Sequence, residues 1–153
     1  MLKNGQIAPD FTLPRDGGSL VTLSDLRGQA VVLFFYPKDN TPGCTTESIA
    51  FTALKAEFEA ANTTILGVSK DSVASHDKFR TKHDLGVALI SDADGDLCER
   101  YGVWGEKNNY GRKYMGITRT TVLIDDQGKI AQIWNKVRVK GHVEDVLAAA
   151  QAL

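Results

Sequence analysis

The chain has 153 residues, 42% of them apolar, which suits one hydrophobic core and leaves little length for a second. Charged residues make up 24% and almost cancel, to a formal net charge of -1, so neither a nucleic-acid nor a membrane-surface partner is expected. Two cysteines are too few for a secreted disulfide framework, and the three histidines lie beside neither, so no metal or other cofactor is expected.

Met1 to Gln6 lacks both the apolar stretch of a signal peptide and the Arg/Ser-rich character of a transit peptide. No apolar run approaches the roughly 20 residues that span a bilayer, and a cytoplasmic location is expected. Phe11–Leu13 and Leu20–Leu23 alternate around Asp16-Gly17-Gly18 and predict a short hairpin, followed by one helical turn at Ser24–Gly28. Val31–Tyr36 is a continuous apolar run stopped by Pro37, the pattern of a strand buried on both faces. A polar loop, Pro37–Gly43, leads into a helix. Its apolar face is Ile49, Phe51, Leu54, Phe58 and Ala61, with Glu47, Lys55, Glu57 and Glu59 largely outside it.

Thr64–Ser69 is a second buried strand, and Val73–His83 a helix capped by Ser72 or Asp71. Ala88–Ile90 reads as a short strand and Asp94–Tyr101 as a helix of about two turns, weakened by Gly95. Gly102–Gly116 reads as a glycine- and asparagine-rich loop, packed near the site by Trp104 and Tyr110. Thr121–Ile124 and Lys129–Trp134 form a hairpin around Asp125–Gly128. Lys136, Arg138, Lys140 and His142 read as a solvated strand edge and helix approach. Val143, Val146, Leu147, Ala150 and Leu153 space a closing amphipathic helix from His142 to Leu153. This order predicts an α/β, thioredoxin-like fold over residues 1–153: one domain, a central mixed β-sheet flanked by helices and an N-terminal β-hairpin.

Cys44 falls where a buried strand, a rigid loop and a helix N-terminus meet. Ligand sites of open α/β sheets gather beyond strand ends, and unpaired N–H groups at a helix start favour an anion. A free thiol ionises near pH 8.5, so such a position, with a cation nearby, converts an inert thiol into a nucleophile. Thr41-Pro42-Gly43-Cys44 has the spacing of a Cys-x-x-Cys motif with threonine in first place, which rules out the local disulfide of a dithiol reductase. A hydroxyl at Thr41 instead offers a donor and an acceptor to a substrate with two adjacent oxygens, such as a hydroperoxide.

Pro37-Lys38-Asp39-Asn40-Thr41-Pro42-Gly43-Cys44 resembles the Pro-x-x-x-Thr-x-x-Cys signature of peroxiredoxins. Together with Tyr101–Lys107 and Gly116-Ile117-Thr118-Arg119, the resemblance covers almost the whole chain. It points to the branch called bacterioferritin comigratory protein or peroxiredoxin Q. The resemblance implies that Cys44 is the peroxidatic cysteine, Thr41 the peroxide-binding hydroxyl and Arg119 the activating cation. It implies that Pro37 shields the site and that the Gly43 and Cys44 amides complete the donor set. Glu47 either orients the arginine or faces solvent, the latter being preferred, and Trp104 is a further supporting candidate.

Both resolving positions of that branch are empty here, being occupied by Ile49 and Arg80. Cys98 is read as a small buried hydrophobe lacking a loop, dipole or cation to activate it, with a resolving role as the alternative. The expected activity is reduction of hydrogen peroxide and organic hydroperoxides through a sulfenic acid on Cys44. An external thiol, from thioredoxin or from glutaredoxin with glutathione, then restores the enzyme. Atypical two-cysteine turnover and a peroxide-sensing or chaperone-like redox role stay open, as do a monomer and a weak homodimer.

Overall fold

The computed structural model describes residues 2–153. A short antiparallel hairpin, β1 (Thr12–Pro14) with β2 (Leu20–Thr22), opens the chain, and a 3-10 turn at Leu23–Leu26 follows. The apolar run then becomes β3 (Ala30–Phe35), and α1 (Pro42–Ala53) and α2 (Lys55–Ala60) carry the chain back to β4 (Thr63–Ser69). β3 and β4 pair in parallel, Phe35 opposite Val68, so both strands end on the edge from which α1 departs. Next come α3 (Val73–His83), β5 (Ala88–Ser91) and α4 (Leu97–Arg100). The remaining elements are β6 (Trp104–Asn109), β7 (Arg112–Ile117), β8 (Thr120–Ile124), β9 (Ile130–Trp134) and α5 (His142–Gln151).

Five strands form the central mixed sheet in the order β5-β4-β3-β8-β9, with β8 and β9 antiparallel. Because successive strand residues point to opposite faces, β3 divides the core in two. Val31, Leu33 and Phe35 join one cluster with Phe11, Leu97, Cys98, Tyr101 and Val103. Val32, Phe34 and Tyr36 join the other with Cys44, Phe51, Phe58, Phe79 and Val146. The two cysteines therefore lie on opposite faces of one sheet. The long helices cover the Cys44 face, and the N-terminal segment and α4 cover the Cys98 face.

Four expectations need correction. The helix expected between Cys44 and Ala61 breaks at Leu54 (φ -101°, ψ 10°), and its buried face is Cys44, Glu47, Ser48 and Phe51 rather than one containing Ile49. Ile49 is exposed and Glu47 wholly buried, because a buried charge partner rather than hydropathy sets which side of α1 turns inward. The helix expected at Asp94–Tyr101 shrinks to Leu97–Arg100, its start fixed by the Asp92 carboxylate accepting from Leu97 N–H (3.1 Å) and Cys98 N–H (2.8 Å).

The loop expected at Gly102–Gly116 is instead the β6–β7 hairpin. Its turn residues Tyr110 (φ 54°) and Gly111 (φ 81°) are both left-handed, as a two-residue hairpin turn of right-handed twist requires. Neither strand shows apolar alternation, since most of this ribbon meets solvent on both sides, and Tyr110 is fully exposed at its tip. Finally, His142 is buried at the start of α5 rather than part of a solvated basic edge, while Leu153 lies beyond that helix and is exposed.

Candidate active site

Thr41 occupies the N-cap of α1 in an extended conformation (φ -95°, ψ 154°), and Pro42 follows as the first helical residue, where its missing N–H costs nothing. The first bond of the helix ladder is Thr45 N–H to the Thr41 carbonyl, 2.9 Å. The N–H groups of Gly43 and Cys44 precede it and belong to the helix's orphan donors. The Thr41 hydroxyl makes no capping bond; it donates to the Lys38 carbonyl (2.8 Å), which leaves its lone pairs as acceptors. Stacking of Phe51 on Phe34, 4.5 Å between centroids, anchors α1 to the sheet beneath the cysteine. Cys44 itself is only 1% exposed.

Arg119 reaches this helix start from the two-residue link between β7 and β8, and its own carbonyl accepts from Val137 N–H (3.0 Å). One guanidinium nitrogen donates to Cys44 Sγ at 3.3 Å, the other to Glu47 Oε1 at 2.7 Å. Burial works against the Arg119 charge, but Glu47 and Cys44 outweigh it and hold the guanidinium's pKa above its ordinary value. Burial acts more strongly on Glu47. It pushes the carboxyl up to about 7 although Arg119 pulls the other way, and Oε2 has no partner. Gly43 leaves room for this approach: a Cβ there would stand 3.0 Å from the Arg119 Nη2 and press the guanidinium away by a few tenths of an ångström.

Pro37 follows Tyr36 at the end of the central strand and is half-buried. Trp104 does not join the Cys44 cluster. It packs against the opposite core, with Lys70 Nζ 5.1 Å from its ring centroid. Cys98 is wholly buried on that same side, where burial first and Asp92 second push its thiol pKa well up.

Three residues near the site carried little sequence signal. Asp39 looks like any polar loop residue, yet it is buried and accepts from Tyr36 Oη at 2.7 Å. His76 meets the same carboxylate from α3. The His142 ring stands nearly perpendicular to those of Phe51 and Trp134, and its Nε2 is 2.8 Å from Thr121 Oγ1. Burial, reinforced by Arg119, holds its pKa below the ordinary histidine value.

A cation bridging a thiol and a carboxylate, at the start of a helix on a thioredoxin-like sheet, defines a thiol-based redox enzyme. The sequence profile of the AhpC/TSA family matches residues 4–133. The "Putative peroxiredoxin bcp" of Coxiella burnetii is 50% identical over 143 residues, covering 94% of this chain and 95% of that one. Among solved structures, the bacterioferritin comigratory protein of Xanthomonas campestris superposes with a TM-score of 0.88 at 47% identity, over 93% of this chain and 90% of its own. A variant of Xylella fastidiosa PrxQ gives 0.93 at 41% identity, over 99% and 97%. The chain belongs to the AhpC/TSA family, in its Bcp or peroxiredoxin Q branch, and is a peroxiredoxin, a thiol-dependent peroxidase. Among the described residues, no helix is long and apolar enough to cross a membrane.

Proposed function

We propose that Cys44 reduces hydrogen peroxide and organic hydroperoxides by a one-cysteine cycle, with an external thiol completing each turnover. The observation that carries this reading is the Arg119 bridge, 3.3 Å from Cys44 Sγ and 2.7 Å from Glu47. Attack of the Cys44 thiolate forms an S–O bond and breaks the peroxide O–O bond. The departing oxygen takes a proton and leaves as water or an alcohol, and Cys44 is left as the sulfenic acid. Negative charge passes from sulfur to the leaving oxygen, so Arg119 and the Gly43 and Cys44 amides serve both ends of the reaction. The Thr41 hydroxyl, its proton committed to Lys38, accepts from the peroxide O–H and orients it. Pro37 limits water at the strand end, and Glu47 fixes the plane of the guanidinium. The similar Xanthomonas campestris protein has alkyl peroxide reduction activity, which supports including organic hydroperoxides.

A thiol from thioredoxin, or from glutathione with glutaredoxin, then attacks the sulfenic sulfur and water leaves. A second thiol resolves the mixed disulfide. One-cysteine turnover is supported by the placement of Cys98 on the far face of the sheet. A disulfide needs Cα atoms within about 7 Å, whereas layers packed on a sheet stand about 10 Å from it. Steady-state turnover with each reductant supplied separately tests the reading. Cys44→Ser is expected to be inactive and Cys98→Ser to keep most activity. A Cys44–Cys98 crosslink seen by mass spectrometry after peroxide treatment refutes the one-cysteine cycle, and slow, stoichiometric oxidation would point to a sensor instead.

A further inference from the structure

The loop that delivers Thr41 and Cys44 is held by a buried polar cluster which the peroxide chemistry does not use. Asp39, two residues before Thr41, is its centre. Oδ1 accepts from Tyr36 Oη (2.7 Å), and Oδ2 accepts from Ser75 Oγ (2.8 Å) and faces His76 Nδ1 at 2.7 Å. The Asp39 N–H donates to Asp71 Oδ2 (2.8 Å), which also accepts from Ser69 Oγ (2.6 Å). Further along α3, His83 Nε2 lies 3.1 Å from Oδ1 of Asn40, a residue held in the left-handed region at φ 60°. Helix α3 thus splints two consecutive residues of the loop.

Geometry fixes the charge state of His76. Its second nitrogen, Nε2, lies 2.9 Å from the Ile90 carbonyl, which only accepts. Nδ1 faces a carboxylate already accepting from two hydroxyls. Satisfying both neighbours takes two N–H groups, so the wholly buried ring is an imidazolium paired with the Asp39 carboxylate. The groups facing it agree. Asp39 touches it, Asp71 lies one bond beyond, and the Tyr36 phenol ring is 6.4 Å away; β5 contributes the neutral Ile90 carbonyl. On α3 itself, Ser75 is neutral and Asp77 turns away to accept from Gly17 N–H.

We propose that His76 is a positioning residue for peroxide reduction: as an imidazolium it clamps Asp39, and so holds Thr41 and the Gly43 and Cys44 amides in reactive register. The inference rests on the roles assigned above to Cys44 and Thr41. Burial disfavours the charged ring, but the bond to Asp39 outweighs it and raises the His76 pKa. The clamp is therefore intact below the ordinary histidine value and is lost as pH rises through the raised one.

The test measures single-turnover peroxide reduction across pH, with hydrogen exchange of residues 37–45, in wild type, His76→Phe and His76→Asn. Phenylalanine fills the site without a donor. It is expected to slow reduction by about tenfold or more and to speed exchange in the loop, since misplacement by about 1 Å can cost that much. Asparagine supplies a neutral donor to Asp39. It is expected to restore most of the rate at neutral pH and to lack the alkaline fall expected of wild type. A His76→Phe protein with wild-type rate and exchange overturns the proposal, and so does an alkaline limb that wild type and His76→Asn share. Should His76→Phe not fold, the latter comparison decides alone. Cys44→Ser run alongside separates the two levels: activity surviving in it sinks the site assignment, while loop exchange reports the clamp independently of that outcome.

Discussion

Both cysteines of this chain sit at the start of a helix beside a cation, and only one is placed to react. Cys44 is the third residue of α1, its helix start lacks a side-chain cap, and the nearest charge is Arg119 at 3.3 Å. Cys98 is the second residue of α4, but there the Asp92 carboxylate has already taken the Leu97 and Cys98 N–H groups. Lys70 is close by, yet its ammonium is engaged with Glu99 at 2.7 Å and Asp92 at 3.5 Å. The Cys98 site thus has the dipole and cation that its sequence did not reveal, and carboxylates consume both. At Cys44 no side-chain carboxylate takes the helix-start N–H groups, and Arg119, although it also holds Glu47, keeps one guanidinium nitrogen on the sulfur itself.

Removing the cation that touches Cys44 should collapse the difference between the two sites most. Arg119→Gln is expected to slow single-turnover peroxide reduction on the order of 10²-fold, the scale of losing a charged donor at a developing anion. Arg119→Lys should restore only part of the loss, because a single ammonium cannot reproduce the fork that spans Glu47 and Cys44. Stopped-flow oxidation of the reduced protein reads this directly. A glutamine variant as fast as wild type would remove Arg119 from the chemistry.

Glu47 supplies a smaller and pH-dependent effect. Its carboxyl is raised from 4.5 to about 7 by burial, so the folded state holds its proton where the unfolded state has released it. The stability this confers is complete below about 4.5 and is lost as pH rises to about 7, in total by roughly 3 kcal/mol. Glu47→Gln cannot ionise. Denaturant midpoints of wild type relative to this variant are therefore expected to decline between those two pH values. Parallel midpoints across the range would mean that Arg119 holds Glu47 charged throughout.

The fold was legible where burial leaves a pattern. The apolar runs of β3 and β4 and the spacing of α5 announced themselves, and the octapeptide ending at Cys44 located the nucleophile. What stayed hidden was set by partners distant in sequence. Glu47 looks like a surface residue until Arg119, 72 positions away, is brought against it. Asp39 and His76 are separated by 37 residues and carry no periodic signal. The β6–β7 ribbon has no core-facing alternation to detect, and its turn is encoded only by Tyr110 and Gly111 accepting left-handed geometry.

The subtlest test asks how much of the Cys98 contrast comes from charge and how much from burial. Burial is the larger cause of its raised pKa and Asp92 the next, with Lys70 opposing. In a Cys44→Ser background, where Cys98 is the single thiol, Asp92→Asn keeps the side chain's shape and a carbonyl acceptor for one of the two N–H groups. It also removes the anion and frees Lys70 from one carboxylate. The thiolate absorbance should then appear at lower pH by about one unit, the low end of what one nearby charge does. The remaining displacement, owed to the apolar cluster of Leu97, Tyr101 and Val103, should persist. An unmoved titration would show that burial alone silences Cys98 and that the capping carboxylate is incidental. A complete return to the ordinary thiol range would show the reverse, that the carboxylate rather than the core keeps this second helix start inert.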